Sequence, residues 1–83
     1  MPEDARIAET LLTLARANVD ASGFCPSDAA RALAPQDWRP LIPRVRQVIS
    51  RLQRDGLINV TQEGLAVDAL GAEGPIRLSR PLH

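Results

Sequence analysis

The segment from Leu41 to Asp55, LIPRVRQVISRLQRD, admits few alternatives to an amphipathic helix. Leu41, Ile42, Val45, Val48, Ile49 and Leu52 recur at helical spacing and make one apolar stripe. At about 100° per residue, Arg44, Gln47, Ser50, Arg51 and Arg54 fall on the opposite side. Gly56 is placed to end the helix, and a strand pattern follows it. A helix held by its apolar side, offering Arg, Gln and Ser outward and followed by a hairpin, is how a winged helix-turn-helix presents its recognition helix.

Two further helices are expected upstream. Ile7, Leu11, Leu14, Ala15 and Asn18 share one face of a helix running from about Glu3 to Asn18, with Leu12 and Val19 widening its apolar arc. Asp20, Ser22 and Gly23 predict a turn, and Phe24 a very short strand. Pro26 suits the first turn of a second helix, because it lacks an amide hydrogen that would otherwise be unpaired. Ser27 and Asp28 complement that helix start, and Pro35 bounds its end near Leu33 or Ala34. Pro35, Pro40 and Pro43 cannot all lie inside regular helix, so a short turn is expected around Gln36 to Arg39, with the third helix entered near Leu41.

Downstream, residues Leu57 to Val67 read as a hairpin turning at Gln62, Glu63 and Gly64. Asp68 to Gly74 reads as a loop, and Ile76, Arg77 and Leu78 as a short last strand. The expected class is α+β: a small winged helix-turn-helix domain of three helices, a carboxyl-terminal β-hairpin wing and a short last strand. With 83 residues, one domain over 1–83 is expected.

Composition narrows the chemistry. One Cys excludes an intramolecular disulfide, and one Cys with one His cannot fill a zinc site, so no metal or cofactor is expected. No nucleophile stands beside a base, no carboxylates are paired at a defined separation and no Gly-rich phosphate loop occurs, so the expectation is not an enzyme. His83 is expected to be solvated. The start MPEDARIAE lacks the basic-then-apolar layout of a signal peptide, and no apolar run approaches the roughly 20 residues that span a bilayer. A cytoplasmic protein without a membrane partner is the expectation.

The order CPSDAAR (Cys25 to Arg31), WRPLIPRVR (Trp38 to Arg46), GLINVTQEG (Gly56 to Gly64) and GPIRL (Gly74 to Leu78) resembles a bacterial domain-of-unknown-function family, the one numbered three-two-five-three. The likeness runs from about Ala5 to Leu78. It implies a winged-helix fold and no established activity, so it carries over no catalytic residue.

The formal charge is zero, but unevenly spread. Residues 31–54 hold six arginines against Asp37 alone, a net +5, while residues 1–30 carry −3, residues 55–73 carry −4 and residues 74–83 carry +2. Two readings stand side by side. Arg44, Gln47, Ser50, Arg51 and Arg54 are candidate contacts to double-stranded DNA, the arginines on phosphates or guanine edges and Gln47 and Ser50 on base edges. Alternatively, the arginines belong to a solvated face laced with local ion pairs. Glu63 near the wing tip, Asp68 beyond it and the zero net charge weigh against tight nucleic-acid binding.

Other residues carry paired readings too. Cys25 is either a small apolar filler beside Phe24 or a thiol activated at a helix start. Trp38 either packs on the second and third helices or stacks on a base or partner. Arg46 is expected to pair with Asp28 or Asp37, and Arg31 and Arg77 with acids. The alternative function is a protein-interaction module, with the first helix and its Leu12 and Val19 forming a homodimer or partner surface.

Overall fold

The structure, a computed structural model, describes residues 3–18 and 23–81. The expectations placed on Val19, Asp20, Ser22 and His83 lie outside those residues. In chain order the elements are α1 (Asp4–Ala17), α2 (Pro26–Leu33), a 3-10 turn (Arg39–Leu41), α3 (Ile42–Arg54), β1 (Asn59–Gln62), β2 (Leu65–Ala66) and β3 (Arg77–Ser79). Three helices beside a small antiparallel sheet give the α+β, winged-helix arrangement expected from the sequence.

Each helix owes its limits to particular residues. Asn18 ends α1, with its backbone N–H and its side-chain amide both donating to the Leu14 carbonyl. Pro26 occupies the first turn of α2, and the Cys25 N–H there donates to Asp28 Oδ2 at 3.0 Å. The connection bends at residues 35–37, in line with the turn expected around Gln36 to Arg39, and α3 is entered at Ile42. A 3-10 turn follows at Arg39–Leu41, with Pro40 inside it and Pro43 in the first turn of α3. A proline is tolerated in a first turn, where its missing donor costs no hydrogen bond.

Gly56 closes α3 at φ +73°. Its N–H donates to the Gln53 carbonyl, and the Leu57 N–H donates to the Leu52 carbonyl at 2.9 Å. This pair of bonds satisfies carbonyls that the last helical turn leaves open. It also takes Leu57 out of the hairpin: the cap consumes its donor, its side chain is exposed, and the strand starts at Asn59.

The sheet runs β2-β1-β3, all antiparallel. Val60 faces Leu78, and Phe24 forms an isolated bridge on the other side of Leu78, with both N–H to O=C bonds made at 2.7–2.9 Å. The short strand expected at Phe24 is therefore the outer edge that ties the α1–α2 connection to the sheet. Glu63 and Gly64 make the tight turn between β1 and β2, both at positive φ (53° and 84°), the conformation of a two-residue type I′ hairpin.

One apolar cluster joins the layers. It gathers Ile7 and Leu11 from α1, Ala29 and Ala30 from α2, Val45 and Ile49 from α3, and Ile58, Val60, Ile76 and Leu78 from the sheet side. Burying each large aliphatic side chain contributes roughly 1.5–3 kcal/mol. The stripe of α3 is thus turned inward, which leaves its other side for solvent. Leu12 packs half-buried on this cluster, so part of the apolar arc of the first helix is taken up by the core.

Candidate nucleic-acid interface

α3 contains four arginines and no acid. Arg44, Gln47, Arg51 and Arg54 are all exposed, and at 3.6 residues per turn they fall within an arc of about 80°. From Arg44 to Arg54 this edge runs about 15 Å along the helix axis, at 1.5 Å per residue.

Ser50 is a correction. It was expected on the same outward arc, yet it is only 4% exposed. Ser50 sits at the margin of the arc, where the return of the wing folds over α3. Ser50, Gln53 and Arg54 line one wall of an open cleft of about 380 Å³, and Ala66, Val67 and Asp68 line the other. Gln53 fastens that closure. Its Nε2 donates to the Val67 carbonyl at 2.6 Å, and its Oε1 accepts from the Ala69 N–H at 3.2 Å.

The arginines of the edge are not equivalent. Arg44 Nε donates to Asp4 Oδ1 at 2.6 Å, and Arg51 Nη1 donates to Asp4 Oδ2 at 3.1 Å. Asp4 lies in the first turn of α1, so a carboxylate there is also complementary to the helix amino end. The hydrogen bond from Arg44 is the main cause that holds the Asp4 carboxyl below its ordinary value, with the charges of Arg44 and Arg51 adding to it. Both arginine side chains remain half or more exposed (50% and 63%), so the contacts are surface contacts that salt screens. Arg54 joins no ion pair among the described residues. Asp4 and the exposed Asp55 at the carboxyl end of α3 set two acids against three arginines, which leaves this edge at a net +1.

Two other arginines, Arg46 and Arg31, are placed differently from expectation. Arg46 pairs with neither Asp28 nor Asp37. It reaches across to the loop before β3, donating to the carbonyls of Ala72 (3.0 Å) and Gly74 (2.6 Å). Arg31 stacks on Trp38 instead of joining an ion pair, its guanidinium 4.5 Å from the ring centre, and Arg39 stacks on the same ring at 4.7 Å. Trp38 itself packs half-buried on the core. Arg77 donates to Cys25 Sγ at 2.8 Å and to the Gly23 carbonyl at 2.9 Å, so Cys25 is engaged with the last strand. Sequence spacing gave no signal for the contacts of Arg46 and Arg31, because Arg46 bonds backbone carbonyls and Arg31 meets an indole face.

Among the described residues, no group of three or more His, Cys, Asp or Glu is arranged to hold a metal ion. No helix among them is long and apolar enough to cross a membrane. No curated protein matches the chain. Residues 4–81 match the family described as "Protein of unknown function (DUF3253)", a span that includes every helix and strand above, and the chain belongs to that family.

Proposed function

We propose that this chain is a non-enzymatic, cytoplasmic module that binds double-stranded DNA through the exposed edge of α3. The observation that carries the reading is the acid-free α3, fixed to the core by its apolar stripe and lined outside by Arg44, Gln47, Arg51 and Arg54. A helix of this length fits a major groove about 12 Å wide. Arg51 and Arg54 serve phosphates or guanine edges, and Gln47 is the residue suited to a base edge. Arg44 and Arg51 exchange the Asp4 carboxylate for phosphate oxygens as they bind. Glu63 and Asp68 keep the wing off the backbone, so the helix makes the contacts.

The test is a titration with mixed-sequence duplex DNA at several salt concentrations. Wild-type affinity is expected to fall steeply with salt, and the Arg51→Ala, Arg54→Ala double variant to lose about two units of salt slope, at about 0.9 per phosphate. Unchanged affinity and slope in the double variant would rule out this edge.

One observation favours a second reading, a protein-docking module without DNA binding. Leu57, Leu65 and Leu70 are 47%, 72% and 53% exposed. Single exposed leucines are ordinary on protein surfaces, so this reading ranks second. A monomeric mass by light scattering at high concentration would remove homodimerisation from it.

A further inference from the structure

The α2–α3 corner is a second charged surface, distinct from the α3 edge. Arg31 lies in the last turn of α2, and Arg39 opens the 3-10 turn that leads into α3. Both guanidinium groups lie over the ring of Trp38, at 4.5 and 4.7 Å from its centre. Both side chains belong to exposed residues, and neither joins an ion pair among the described residues, although Asp37 is adjacent in sequence. A guanidinium stacked on an aromatic ring uses its flat face and keeps its N–H donors around the rim. Those rims are then held in fixed positions, with less rotamer freedom left to lose when an anion arrives. The indole is in turn anchored, because Trp38 packs on the core.

We infer that the Arg31–Trp38–Arg39 stack is a phosphate-binding corner, taking backbone phosphates of the same duplex whose groove receives α3. This inference rests on the duplex reading and adds contacts to it. The fork of an Arg side chain matches two phosphate oxygens, and the corner lies at the amino-terminal entrance of α3, where a helix inserted in a groove meets the flanking strand. Guanidinium groups over the indole leave a base no free stacking platform, so the corner reads phosphate and carries no sequence information.

Trp38 is the only Trp and the chain has no Tyr, so its fluorescence reports on this corner alone. Mixed duplex DNA is titrated into wild-type protein, and into an Arg31→Gln, Arg39→Gln double variant whose thermal midpoint is checked. Poly-glutamate of matched charge serves as a second probe. The expected result is a change of Trp38 emission on duplex addition. In the double variant we expect affinity lower by about an order of magnitude and a salt slope lower by about two. Duplex binding with unchanged Trp38 emission, or with the same affinity and slope in the double variant, overturns the corner while leaving the α3 reading intact. A response to poly-glutamate but not to duplex overturns it in favour of an acidic protein partner. Absence of any duplex binding by the wild type overturns both readings together.

Discussion

Arg44 reaches from α3 to Asp4 on α1, its Nε donating to the carboxylate at 2.6 Å. Arg51, two turns further along α3, donates to the other oxygen of the same carboxylate. One acid thereby ties the first helix to the third and stands where a phosphate would meet these two guanidinium groups.

Asp4 is therefore expected to titrate below the ordinary aspartate value of about 3.9. A depressed folded value means that the pair supports the fold fully above the unfolded value, and that this support is lost as pH falls through the folded one. Carboxyl-carbon NMR titration reads it directly. Arg44→Ala is expected to return the midpoint toward the ordinary value, and a wild-type midpoint that is not depressed would contradict the geometry.

Removing the carboxylate charge separates the two roles of the pair. Asp4→Asn is expected to raise duplex affinity several-fold, because Arg44 and Arg51 no longer exchange an internal anion for an external one. The fold should be little affected, since solvent screens exposed pairs of this kind and they contribute little to stability. Equilibrium titration at fixed salt measures the first effect and thermal melting the second. Weaker duplex binding in the variant would mean that Asp4 positions these arginines rather than competing for them.

Glu63 holds a positive φ of 53° in the β1–β2 turn, a conformation that Asn tolerates better than other side chains. Glu63→Asn completes the Asn-Gly pair that such turns favour and is expected to stabilise the fold by about 0.5–1 kcal/mol. That corresponds to a rise of roughly 2–8 °C in thermal midpoint for a domain of this size. A lower midpoint would mean that the Glu63 side chain contributes contacts outweighing its backbone strain.

Arg46 is expected to matter for stability alone. Arg46→Ala breaks two charged hydrogen bonds to the Ala72 and Gly74 carbonyls, at about 1.5–3 kcal/mol in total given the partial exposure of the site. Arg46→Lys should recover only part, because one ammonium cannot reproduce the fork. Amide exchange around residues 72–76 should accelerate with duplex affinity unchanged; a matching loss of affinity would place Arg46 in the interface.

The helices and the turn were legible because each rests on local chemistry. The spacing of Val45, Val48, Ile49 and Leu52, the proline at 26 and the glycine at 56 act within a few residues, and the structure keeps them where that chemistry puts them. The outward edge of α3 was legible for the same reason, except at Ser50. Whether a residue at the margin of a helical face meets water depends on how distant parts of the chain pack there, and Ser50 borders the cleft that α3 shares with Ala66 to Asp68. Gln53, Arg46 and Arg77 were illegible as clasps because they bond main-chain carbonyls and a thiol far along the chain. The sharing of Asp4 was equally hidden, since forty residues separate it from Arg44 and charge pattern alone fixes no partner.

Chemical-shift mapping of the labelled protein with mixed duplex DNA at low salt tests the central claim most directly. The account predicts shifts at Arg44, Gln47, Arg51 and Arg54, accompanied by loss of the Arg44 and Arg51 contacts to Asp4. An unperturbed spectrum, or shifts confined to Leu57, Leu65 and Leu70, would contradict it.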